Sequence, residues 1–133
     1  MRSLTLVTGA AWPLSPRART WLAREPQFVP IDVVAPGSEE TRRRFPGLPA
    51  GAGETDLAAI ADDGRLWRGA SAWLMTLWAL EGHRRSALEL ARANRAGEAR
   101  RVVEALARGC WSVPARPTLA APVASTSRAP PAA

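Results

Sequence analysis

One cysteine and one histidine in 133 residues remove several classes of chemistry at the outset. A lone thiol, Cys110, leaves no intrachain disulfide and no cysteine-pair zinc pattern. With His83 the single imidazole, a structural metal site lacks ligands, and nothing in the chain points to a cofactor. Lysine is absent too. All 18 positive charges are arginine, which a biased genomic base composition explains more simply than arginine-specific binding chemistry. No apolar run approaches the ~20 residues of a membrane span, and Arg2 precedes too short an apolar run for a signal peptide. The expectation is a cytosolic protein that does not enter a membrane.

Acidic residues number twelve, for a net charge of +6. Arg116 and Arg128 lie in a tail without carboxylates, so sixteen positive charges against twelve negative leave +4 on the remainder. That excess permits weak attraction to nucleic acid or an anionic surface without demanding it. Length predicts one domain, large enough for a core without covalent staples. We place it at residues 1–113. Residues 114–133 are rich in Pro, Ala, Ser and Thr and carry no periodicity, which predicts a disordered tail.

The chain opens with an apolar strand from Leu4, a turn containing Gly9 and Pro13, and a helix beginning at Ser15-Pro16. Serine suits the N-cap and proline the first helical position. The helix runs to Ala23, with Ala18, Trp21 and Leu22 inward. Phe28–Val34 reads as a second strand inside a sheet, with Pro30 an irregularity within it. Strand, helix and strand this close predict a parallel βαβ unit. Glu39–Phe45 forms a short helix whose Arg42, Arg43 and Arg44 match its dipole, which explains them better than anion binding does. Pro46–Gly53 is a loop.

Leu57–Ala61 and Leu66–Arg68 flank Asp62-Asp63-Gly64-Arg65, a hairpin whose two turn positions are expected at positive φ. Gly69 and Ser71 lead into the most buried helix, Ala72–Leu80, with Gly82 expected just past its end. Trp21, Trp67, Trp73 and Trp78 stand at core spacing. Ser86-x-x-Glu89 reads as a capping box opening a helix to about Ala93. After an interruption at Asn94–Gly97, Glu98–Arg108 forms a last amphipathic helix with Val102, Val103 and Leu106 inward, stopped by Gly109.

Residues 62–80, Asp62-Asp63-Gly64-Arg65-Leu66-Trp67-Arg68-Gly69-Ala70-Ser71-Ala72-Trp73-Leu74-Met75-Thr76-Leu77-Trp78-Ala79-Leu80, resemble a segment of the DCC family of thiol-disulfide oxidoreductases, also called domain of unknown function 393. There, a strand ending in an aromatic, Arg and Gly passes into a helix containing Ala-Trp-Leu. The opening strand-turn-helix matches more weakly, and the resemblance spans roughly residues 3–112. It implies an α/β, thioredoxin-like fold: a βαβ unit, then a β-hairpin and C-terminal helices. The family's Asp-x-x-Cys-x-x-Cys motif falls on Gly9, Trp12 and Ser15 in one register and on Thr8, Ala11 and Leu14 in the other. Both registers lack the carboxylate and both sulfurs, so the resemblance implies a redox-inactive pseudoenzyme serving as a binding or scaffold module.

Other candidates are better explained structurally. Dithiol exchange needs an attacking and a resolving thiolate, and Cys110 alone supplies one; residual activity would need it or a partner's thiol. Ser15 could be a nucleophile only beside a base, and His83 reads instead as a dipole partner at a helix C-terminus. Asp62 and Asp63 fit a turn better than an acid-base pair. Trp12, in the opening turn, is either a contact for a protein partner or a filler of the emptied site. Seven arginines against Glu89, Glu98 and Glu104 lie between Arg84 and Arg108, but no recognition motif accompanies them, so nucleic acid ranks last.

Overall fold

The computed structural model describes residues 1–109; Cys110, Trp111 and the tail from Pro114 lie outside it. Four strands, β1 (Leu4–Val7), β2 (Ile31–Val34), β3 (Ala58–Ala61) and β4 (Leu66–Arg68), form one mixed sheet in the order β2-β1-β3-β4. Five helices accompany it: α1 (Pro16–Arg24), α2 (Glu39–Arg44), α3 (Ala70–Trp78), α4 (Arg84–Arg92) and α5 (Ala99–Ala107). β1 and β2 are parallel and joined through α1, while β3 is antiparallel to both β1 and β4. The architecture is α/β.

Strand alternation sorts the core into two faces. Leu4, Leu6 and Ala59 pack with Leu22 of α1, Trp73 and Leu77 of α3, and Val103 of α5. Val7, Ala58 and Ile60 turn the other way, against Phe45, Leu48 and Ala52. Arg44 ties α2 to the sheet, donating to Asp32 Oδ2 at 2.9 Å and Thr5 Oγ1 at 3.2 Å. Of the tryptophans expected in the core, Trp73 is buried, whereas Trp21, Trp67 and Trp78 are half-buried at its margin.

Several expectations need correction. β2 begins only at Ile31 and lies at the sheet's edge, and Phe28 is 60% exposed. The N–H groups of Phe28 and Val29 donate instead to Ala79 C=O at 2.7 and 3.1 Å. That same pairing ends α3 at Trp78, four residues before Gly82, which sits in a 3-10 turn, Glu81–His83. The turn delivers the chain into α4 at Arg84, so Ser86 falls inside the first turn and caps nothing. The hairpin turn also differs. Gly64 alone has positive φ (93°), and Asp63 Oδ1 accepts from Arg65 N at 3.1 Å. With Gly64 N donating to Ala61 O and Ala61 N to Arg65 O, each at 2.9 Å, this is a three-residue loop ending in a left-handed glycine. The interruption before α5 is present as expected, with Asn94 at φ 57°.

Candidate functional site

Where β1 ends, the chain folds tightly back on itself before α1. Thr8 is buried; its N–H donates to Val34 C=O at 3.0 Å and its hydroxyl accepts from Leu14 N–H at 3.1 Å. Gly9 N–H donates to Trp12 C=O at 2.9 Å. Gly9 C=O in turn accepts from the Arg19 guanidinium at 2.5 Å. A Cβ at position 9 would stand 2.8 Å from the Trp12 carbonyl oxygen, so glycine is a packing requirement here. The Trp12–Pro13 peptide is cis, and Leu14 is fully buried.

Ser15 caps α1 as its sequence position predicts: φ −65° and ψ 155°, the hydroxyl accepting from Ala18 N–H at 3.1 Å. The same hydroxyl donates to Glu104 Oε1 of α5 at 3.0 Å. One turn earlier on α5, the Arg100 guanidinium lies 4.2 Å from the centroid of the Trp12 ring and 5.7 Å from that of Trp73. Trp12 itself is 50% exposed. Beside this corner, Arg100, Arg101 and Glu104 border a hollow of about 550 Å³.

Gly9, Trp12 and Ser15, with Thr8, Ala11 and Leu14 of the other register, therefore belong to one turn, and no sulfur stands among them. Arg19, Arg100 and Glu104 are the residues that sequence reasoning missed. Arg100 and Glu104 share a helix face through their i,i+4 spacing. Nothing in the sequence says that this face meets α1.

The other candidates lie elsewhere. His83 is buried and within 3.2 Å of Glu25 Oε1, its ring centroid 5.5 Å from that of Trp21. It ends the 3-10 turn and leads into α4, five residues past the end of α3, so it does not close the buried helix; Glu25 follows the last residue of α1. The nine residues of α1, about 14 Å of helix, separate that end from Ser15. No Ser15–His83 pair forms. Asp62 accepts from the Arg2 N–H at 2.9 Å, which with its neighbours holds the carboxyl below the ordinary aspartate range. Asp63 is lowered likewise by the Arg65 N–H and guanidinium. Both are turn anchors kept ionised, with no proton to give at neutral pH. Among the described residues no three acidic, His or Cys side chains gather to hold a metal, and no helix is long and apolar enough to cross a membrane.

Replacing Ser15 with alanine removes a cap and leaves Glu104 without its donor. A loss of roughly 1–2 kcal/mol in urea unfolding is expected, largely recovered by Ser15→Thr, which keeps the hydroxyl. Compared with known proteins, the chain matches no family model, no curated sequence and no solved structure.

Proposed function

We propose that this chain is a thioredoxin-like, redox-inactive relative of the DCC family that works as a binding module, presenting the turn around Trp12 to a protein partner. The observation that carries the reading is the state of that turn. At the mouth of α1, where a dithiol enzyme needs two sulfurs, the polar groups of Thr8, Gly9 and Ser15 are engaged within the fold, and what remains on offer is a half-exposed indole backed by Arg100. Tryptophan and arginine are both enriched among interface anchors.

Two measurements test this. In a turnover assay with a disulfide substrate and a thiol reductant, the protein is expected to show no more reduction than Cys110→Ser. Turnover that vanishes with that substitution assigns a one-thiol oxidoreductase instead. In pull-downs, Trp12→Ala is expected to fold normally, because the ring is half in solvent, yet to lose its partner by roughly thirtyfold or more in affinity.

Nucleic acid is the weaker candidate. Of the seven arginines from Arg84 to Arg108, Arg84 lies between the Phe28 and Trp78 rings, Arg95 is held by Glu98 at 2.6 Å, and Arg100 covers Trp12.

A further inference from the structure

The two edges of the sheet are finished differently. Pairing with β1 turns the N–H groups of Ile31 and Val33 outward from β2. Each is taken by a side chain: Gln27 Oε1 accepts from Ile31 at 2.9 Å, and Asp32 Oδ1 from Val33 at 3.0 Å. That edge is closed to an incoming strand by its own residues.

The β4 edge has no such cover. The bonds from Ala61 N–H to Arg65 C=O and from Gly69 N–H to Leu57 C=O frame Trp67 as the residue facing β3. Leu66 and Arg68 therefore turn their N–H and C=O groups outward, where no described residue meets them.

We propose that β4 is a docking edge for a second copy of this chain, the two β4 strands pairing antiparallel about a two-fold axis at Trp67. Three observations select this occupant. The edge is its own complement: Leu66 falls opposite the partner's Arg68 and Arg68 opposite the partner's Leu66, and each pair exchanges two backbone hydrogen bonds. The flanking charges are already neutralised, Arg65 by Asp63 at 2.9 Å and Arg68 by Asp56 at 3.1 Å, so two copies approach without repulsion and a charged peptide finds no free counter-ion. Leu66, 36% exposed, also borders an apolar hollow of about 230 Å³ floored by Phe45, Leu48 and Ile60. In this pairing the partner's β4 strand passes beside it.

Three residues make a small contact, so the dimer is weak and concentration-dependent. Sedimentation equilibrium of the full chain up to about 1 mM is expected to show a monomer–dimer equilibrium. Leu66→Pro removes one outward N–H from each copy, two of the four bonds between the strands, while leaving the ladder to β3 intact, and is expected to raise the dissociation constant at least about tenfold. Leu66→Glu, on the same exposed position, is expected to keep the dimer. Amide exchange of Leu66 and Arg68 slows with concentration, while that of Trp67 does not change. A protein monomeric throughout that range, a dimer indifferent to Leu66→Pro, or exchange at Leu66 and Arg68 independent of concentration overturns the proposal.

Discussion

A single methyl group added at position 53 is expected to cost the fold about 3 kcal/mol and to lower the melting temperature by roughly 10–15 °C. Gly53 has φ 85°, in the region side chains resist. Its missing Cβ would stand 2.5 Å from Val7 Cγ1 and 2.7 Å from the Val7 carbonyl oxygen. The second contact decides the size of the effect, because the backbone of a strand in the middle of the sheet cannot step aside as a flexible side chain can. Gly47→Ala is the matched control: nothing lies within 4 Å of its Cβ position, and a change within about 0.5 kcal/mol is expected. Thermal unfolding of the two variants side by side measures the difference. Equal stabilities would mean that the loop before β3 does not rest on the end of β1. Since Val7 leads directly into Thr8, Gly53→Ala is also expected to disturb the turn that carries Trp12.

Leu77→Ala is expected to cost 2–5 kcal/mol, a large part of the 5–15 kcal/mol that holds a domain of this kind together. Leu77 is fully buried on α3, which packs on the sheet and on both α4 and α5. The vacated volume is shared by elements distant in sequence, so no single side chain can move to fill it. Leu88→Ala on α4, where the leucine is 42% exposed, is expected to change stability by about 0.5 kcal/mol or less. Urea unfolding followed by tryptophan fluorescence reports both, because Trp73 belongs to the same core. A Leu77 variant as stable as its parent would show that α3 is not the element around which the helices gather.

What could be read from the residues alone followed how local the governing physics is. Ser15-Pro16 marked the start of α1 correctly because a cap and its target N–H lie three residues apart. Asp-Gly located the hairpin for the same reason, although the register of the loop depended on the Asp63 carboxylate reaching the Arg65 N–H. The end of α3 could not be read. Gly82 is a reasonable stop signal by composition, but backbone pairing between Ala79 and the segment before β2 stops the helix first, and that contact joins residues some fifty positions apart. His83 and Ser86 were displaced by the same event. At the candidate site, the residues of the turn were visible one by one, whereas Arg100 and Glu104 reach it only through the packing of α5 on α1.

The bond between Ser15 and Glu104 bears on whether this turn could host sulfur chemistry. A cysteine installed at position 15 would inherit the favourable field of a helix start, but also a carboxylate placed to accept its proton bond and to repel the thiolate. Two substitutions, at 12 and 15, would yield a sluggish thiol pair. Electron exchange at this turn would need a change at position 104 as well, on a different helix, because the acid there opposes a thiolate whatever thiol is placed beside it.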